Sequence, residues 1–244
     1  MKQIIFTVTS LLVFGILSAQ DSNTDWANFA KYAEANKTVS PGTVVFLGNS
    51  ITEGWANTHP QFFKQNNYTG RGIGGQTSSQ MLVRFRADVI NLKPKAVVIL
   101  AGTNDIARNT GYIALENILG NIISMCEIAK ANNVRAVLCS ALPAYQFSWR
   151  KELQPAKDII TLNAMIKDYA QKNNITYVDY HSALKDERDG LPEKYAGDGV
   201  HPNSDAYLIM ENLVQKALAN KPPESTKKQK KERQYLFQRN NHKD

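Results

Sequence analysis

Four short apolar runs, rich in β-branched residues and without clean alternation with polar ones, constrain this chain more than any other feature. They occupy residues 43–47, 96–100, 134–139 and 175–178. A strand with one wet face alternates with period two, whereas a strand covered on both faces reads as a continuous apolar run, so these segments are predicted to be parallel strands buried on both sides. Between and after them, apolar residues recur at helical spacing: Met81, Leu82, Phe85 and Val89; Ile118, Ile122, Cys126 and Ala129; Ile159, Leu162, Ile166 and Tyr169; Tyr207, Met210, Leu213, Val214 and Ala217. Each group lies on one face of a helix. Pro94, Asn132-Asn133, Asn173-Asn174 and Lys221-Pro222 punctuate the ends. The alternation predicts a doubly wound α/β sheet with helices on both faces and right-handed crossovers. A fifth strand is expected near residues 68–70.

With 244 residues, 43% of them hydrophobic, the chain can bury one sizeable core. Its formal charge of +7 is concentrated at the C-terminus, where residues 221–244 carry eight Lys/Arg against three acids. The body is close to neutral, so a nucleic-acid partner is not expected. The segment opening Lys221-Pro222-Pro223 reads as a solvated basic tail suited to contact with anionic surfaces. At the other end, Lys2, an apolar stretch at 4–17 and Ser18-Ala19-Gln20 follow the order of a secretory signal peptide. Residues 1–20 are therefore expected to be a cleaved leader, residues 21–220 the domain, and the mature protein secreted or periplasmic. The leader's 14 apolar-stretch residues fall short of the ~20 that span a bilayer, and no later segment is long enough, so stable membrane insertion is not expected. Cys126 and Cys139 are the only cysteines. Two buried thiols are expected from them, since they are too few for a disulfide scaffold or a cysteine zinc site.

In a sheet of this class the ligand site lies in the loops after the carboxyl ends of the strands. The first strand runs into Gly48-Asn49-Ser50-Ile51-Thr52-Glu53-Gly54-Trp55, which places a serine hydroxyl at that edge where a helix begins. Ser50 suits a nucleophile, and equally a helix cap. Thr52 stands where a G-x-S-x-G elbow needs its second glycine, which disfavours the α/β-hydrolase pattern. Gly72-Ile73-Gly74-Gly75-Gln76-Thr77 allows close backbone approach to a ligand, or simply a tight turn, and it matches neither the P-loop nor the dinucleotide fingerprint. Ala101-Gly102-Thr103-Asn104-Asp105 brings a carboxamide to the same edge, as an oxyanion donor or a turn residue. Asp198-Gly199-Val200-His201-Pro202 sets a carboxylate three residues before an imidazole, as a base and its orienting acid require. A metal is the competing use of His201, but His59, His181 and His242 show no ligand spacing to it.

Taken together and in this order, Gly48-Asn49-Ser50, Gly72-Ile73-Gly74-Gly75, Gly102-Thr103-Asn104-Asp105 and Asp198-Gly199-Val200-His201-Pro202 resemble the four signature blocks of the SGNH, or GDSL-type, esterase and lipase superfamily. The resemblance covers about residues 42–218. It implies a three-layer α/β/α sandwich with a five-stranded, mostly parallel, flavodoxin-like sheet. It also implies Ser50 as nucleophile, His201 as base, Asp198 as its orienting carboxylate, and Ser50, Gly75 and Asn104 as oxyanion donors. No cofactor and no metal are implied. Asn49 departs from the Asp found in many members, which bears on the subfamily. Residues 42–218 offer no long apolar insertion for a lid or acyl tunnel, so a short acyl group such as acetyl is expected. The alcohol is expected to belong to a carbohydrate, with Trp55, Tyr145, Trp149 and Arg150 as candidate substrate-binding residues. A lysophospholipase or short-chain lipid acylhydrolase, and a catalytically inert glycan-binding module, are the alternatives.

Overall fold

The run Val-Val-Phe-Leu has no polar side chain to present to water, and the fold gives it none to face. In the computed structural model, which describes residues 25–220, it forms strand β1 (Val44–Gly48), buried at every position. The expected leader (1–20) and basic tail (221–244) lie outside the described residues. Four further strands, β2 (Tyr68–Gly72), β3 (Ala96–Ile99), β4 (Arg135–Cys139) and β5 (Thr176–Val178), complete one sheet in the order β2-β1-β3-β4-β5. Every pairing is parallel, so the sheet is wholly parallel where a mostly parallel one was expected. This is the flavodoxin-like order, with its reversal at β1.

The helices are α1 (Ala30–Asn36), α2 (Ser50–Thr58), α3 (Pro60–Gln65), α4 (Ser78–Asp88), α5 (Thr103–Ile106), α6 (Leu115–Ala131), α7 (Pro155–Asn173), α8 (Tyr180–Leu184) and α9 (Ser204–Ala219). Because successive strand side chains point to opposite faces, the core divides in two. Val45, Leu47, Val97, Ile99 and Leu138 pack with Met81, Phe85, Ile118, Ile122, Leu162 and Ile166 of α4, α6 and α7. Val44, Phe46, Val98, Val137 and Val178 pack with Ile51, Trp55, Phe63, Tyr207 and Met210 of α2, α3 and α9. Three layers follow directly from this division. Each fully buried side chain of this size contributes about 1.5–3 kcal/mol, which makes the two apolar layers the main source of stability.

Cys126 and Cys139 are free and buried, as expected, and belong to the cores on opposite faces of the sheet. Burial pushes both thiols up to about 12, so neither is a thiolate near neutral pH. The four helical patterns in the sequence correspond to α4, α6, α7 and α9. Helices α1, α3, α5 and α8 run only four to seven residues, too short to display a period.

One expected substrate-binding residue belongs elsewhere. Trp55 is 1% exposed. Its indole stacks between Phe62 at 5.6 Å and Tyr207 at 5.7 Å, meets Phe46 edge-on, and donates Nε1–H to Glu211. An indole in the core with its polar atom satisfied cannot serve as a sugar platform. Trp55→Ala should therefore cost about 3–5 kcal/mol in urea-induced unfolding. Trp55→Phe should lower stability while leaving KM for a short ester unchanged. A raised KM with unchanged stability would return the residue to the site.

Candidate active site

Helix α2 begins at the carboxyl end of β1, and its first residue is Ser50. The Asn49 side chain caps it, accepting from the Ile51 N–H at 3.0 Å. The Ser50 N–H stands in the first turn, where the helix supplies no acceptor. The hydroxyl that could have been a cap is thereby left free for another partner. That partner is His201: Ser50 Oγ lies 2.9 Å from His201 Nε2.

The other imidazole nitrogen, Nδ1, is 2.6 Å from Asp198 Oδ2. Asp198 Oδ1 accepts from the Val200 N–H at 2.9 Å and the His201 N–H at 2.8 Å, so the 198–201 turn folds around its own carboxylate. Partial burial works against the Asp198 charge, but the hydrogen bonds from the His201 ring and the two backbone N–H groups outweigh it and hold the carboxyl below its ordinary value. An anionic Asp198 accepts Nδ1–H and leaves the Nε2 lone pair directed at Ser50 Oγ, as removal of its proton requires.

The relation between Ser50 and His201 spans 151 residues and is set by the contact of α2 with α9. Tyr207 Oη donates to the Ile51 carbonyl at 2.9 Å, one residue from the serine. A Cβ on Gly54 would sit 2.8 Å from Tyr207 Oη, so the small residue there allows the approach. His59, at the end of α2, bonds Glu211 through Nδ1 and Ser204 through Nε2, both at 2.6 Å. These bonds bracket the start of α9, three residues beyond His201.

The glycine cluster forms a turn closed by the Gln76 N–H on the Ile73 carbonyl at 3.3 Å. Gly75 takes φ +76°, a conformation side chains resist, and a Cβ on Gly72 would lie 2.2 Å from the Glu53 backbone nitrogen. The loop therefore lies close against the first turn of α2. A Cβ on Gly74 would be 3.9 Å from Ser50 Cβ, and the Gly74 N–H donates to Glu53 at 2.6 Å. The Gly75 N–H lies between these bonded groups and takes part in neither bond. Asn104, 5% exposed in α5, donates one amide hydrogen to the Gln76 carbonyl at 3.0 Å. Its second hydrogen is available to a ligand. The next residue, Asp105, is buried and caps α4 through the Ser78 N–H and hydroxyl. Burial raises its carboxyl pKa against the opposing Ser78 bonds.

The fold thus gathers Ser50, His201 and Asp198 directly and sets the Gly75 loop and Asn104 beside them. Trp149 is 41% exposed, with its ring centroid 6.4 Å from that of His201. Tyr145 is exposed and lies under the Arg188 guanidinium at 5.2 Å. Arg150 is exposed on the same turn, its backbone N–H bonded to the Phe147 carbonyl. The sequence offered no signal for the roles of Glu53, His59 or Glu211, and marked Tyr207 only as part of a buried helical face; their roles arise from contacts between distant elements. Helix α1 and the turn before it, outside the signature blocks, also support the loop: Tyr32 Oη donates to the Gly72 carbonyl, Lys31 pairs with Glu53, and the Ala27 carbonyl accepts from Gln76.

Comparison with known proteins places the fold in a family. The model of the GDSL-like lipase/acylhydrolase family matches residues 46–209. A Bacteroides fragilis protein of known structure is 52% identical with a TM-score of 0.78, covering 80% of this chain and 97% of its own. A GDSL-like lipase from Bacteroides thetaiotaomicron is 50% identical with a TM-score of 0.77, covering 79% and 97%. An acetylxylan esterase from Geobacillus stearothermophilus, 18% identical with a TM-score of 0.60 over 77% and 98% of the two chains, shares the fold. A lipoprotein of Bacillus subtilis is 29% identical over 85 residues, 34% of this chain and 35% of that protein, so the match spans about a third of that curated relative. The chain belongs to the GDSL-like lipase/acylhydrolase family, and so to the carboxylic ester hydrolases.

Proposed function

We propose that the protein is a serine esterase that removes short acyl groups, acetyl above all, from carbohydrate esters, with Ser50, His201 and Asp198 as its triad. The observation that carries this reading is the continuous pair of contacts from Ser50 Oγ to His201 Nε2 at 2.9 Å and from His201 Nδ1 to Asp198 at 2.6 Å. As Ser50 Oγ attacks the ester carbonyl, His201 Nε2 takes its proton. The Nδ1–H···Asp198 bond stabilises the imidazolium so formed, and the proton passes to the departing alcohol. Water then repeats the sequence on the acyl-enzyme, releasing the carboxylic acid and restoring Ser50. The N–H groups of Ser50 and Gly75 and the spare amide hydrogen of Asn104 receive the oxyanion.

Three observations support the choice of substrate. Trp149 beside His201 and the exposed Tyr145 offer flat apolar faces for a sugar ring, with Arg150 on the same turn. The signature-bearing body has no long apolar insertion to sheath a fatty chain. An acetylxylan esterase shares the fold. Export fits a polymeric substrate outside the cell, and the charged, apolar and small-residue order of residues 1–20, together with a partial relative that is a lipoprotein, supports it.

On p-nitrophenyl acetate, Ser50→Ala should abolish turnover, and a fluorophosphonate probe should label the parent but not this variant. Asn104→Ala should retain activity reduced by about 10²–10³ in kcat. Asp198→Asn should lose most of its activity while unfolding at a temperature close to that of the parent; parental activity would remove the carboxylate from the mechanism. Across p-nitrophenyl esters from acetyl to octanoyl, kcat/KM should fall with chain length. A rise would favour a lipid acylhydrolase.

A further inference from the structure

We propose that Asn109 is a positioning residue that sets the orientation of the Asn104 carboxamide and of the glycine turn beside Ser50. The proposal rests on the oxyanion role just assigned to Asn104 and Gly75. Asn109 belongs to none of the signature blocks, and it lies just past α5. Helix α5 ends in a reversal in which the Arg108 N–H bonds the Asp105 carbonyl and the Asn109 N–H bonds the Asn104 carbonyl. Arg108 takes φ +57° in this reversal. A non-glycine residue in that conformation costs about 1 kcal/mol and persists where its surroundings fix it. The reversal folds Asn109 back over Asn104.

The side chain of Asn109 meets three partners. Its Nδ2 donates to Asn104 Oδ1 at 3.1 Å and to the Gly75 carbonyl at 3.2 Å. Its Oδ1 accepts the Trp149 indole N–H at 3.3 Å. All three agree on one orientation of the amide: rotating it by half a turn would oppose oxygen to two carbonyl oxygens and nitrogen to an N–H. The orientation passes onward. Asn104 Oδ1 is held by Asn109, so Asn104 Nδ2 must face the other way, toward the Gln76 carbonyl and the site. Polarity then runs in one direction from the Trp149 indole through Asn109 and Asn104 to Gln76. Accepting a hydrogen bond at the oxygen of an amide makes its N–H groups stronger donors. The second bond, to the Gly75 carbonyl, fixes the peptide on one side of the residue whose N–H is the other loop donor.

The test compares Asn109→Ala, Asn109→Asp, Asn104→Ala, Ser50→Ala and the Asn104→Ala/Asn109→Ala double variant on p-nitrophenyl acetate, with thermal unfolding of each. Asn109→Ala should lower kcat about tenfold with little change in KM, since it weakens donors that act in the transition state. Asn109→Asp should fall further, because a carboxylate would face two acceptor oxygens. The double variant should lose less than the product of the two single losses, because part of the Asn109 effect passes through Asn104 and only the part carried by the Gly75 carbonyl remains. Parental kcat in Asn109→Ala, or losses that multiply in the double variant, would overturn the proposal. So would a loss of activity matched by a drop in unfolding temperature that Asn109→Asp reverses. Parental activity in Asn104→Ala would instead overturn the oxyanion role on which the proposal rests, and activity retained by Ser50→Ala would overturn the triad, which keeps these failures distinct.

Discussion

A buried guanidinium fixes the geometry of the rim. Arg84 of α4 is fully buried; its Nη2 reaches the Gly48 carbonyl at 3.1 Å and the Arg71 carbonyl at 2.8 Å, its Nε donates to the Gln76 side chain, and its Nη1 pairs with Asp88 at 2.9 Å. The carboxyl ends of β1 and β2 and the glycine loop thus share one five-donor group. A charge in this position is costly: burial lowers the Arg84 pKa, and the hydrogen bond and charge of Asp88 oppose that shift. Replacing such a pair by apolar residues often leaves stability unchanged. What an apolar side chain could not do is hold two strand carbonyls and a loop amide in fixed relation two residues from Ser50.

The loop secured in this way is braced from several sides. Gln76 donates to the Ala27 carbonyl, accepts from Arg84, and offers its own carbonyl to Asn104. Glu53, in the first turn of the serine's helix, holds the Gly74 N–H. Tyr32 of α1 reaches the Gly72 carbonyl; burial, with Glu53 adding to it, pushes its hydroxyl pKa up to about 12, so it stays a neutral donor. Donors that must meet a developing oxyanion are useful only if they are fixed before the charge appears. A glycine turn alone cannot provide that, because the freedom that lets Gly75 adopt φ +76° also lets it leave that conformation.

The layers and the side chains that meet at the carboxyl rim were legible in the sequence, and the bracing was not. Covered strands lack polar side chains, so β1 and β3 stood out from their composition, and the Asp198–His201 pair declared itself because both groups lie in one turn. Nothing in the sequence marks Arg84 and Asp88 as a buried pair, although helical spacing puts both on the side of Met81 and Phe85. His59 and Glu211 are separated by 152 residues and become partners only once α2 and α9 pack. Trp55 misled for the same reason: an aromatic residue five positions after the serine suggests a substrate wall, but one turn and a half of helix carries it round to the face that meets Tyr207. Asn109 resembles any polar loop residue until the reversal at Arg108 places it over Asn104.

These separations explain how so dispersed a site can be assembled reliably. Asp198 and His201 come as a local unit, since the 198–201 turn closes on its own backbone and precedes α9 directly. Ser50 is likewise local to the junction of β1 and α2. One long-range relation remains, the placement of α9 on α2, and it is fixed by the stacked Trp55 and Tyr207 rings, the Tyr207 bond to the Ile51 carbonyl and the His59 bracket. These contacts are made between helices α2 and α9 or from the residue that ends α2, so the same packing that buries one apolar layer also sets the distance from Ser50 to His201. A small rotation of α9 would open that distance and would also break the aromatic stack, which ties the Ser50–His201 geometry to the stability of the core.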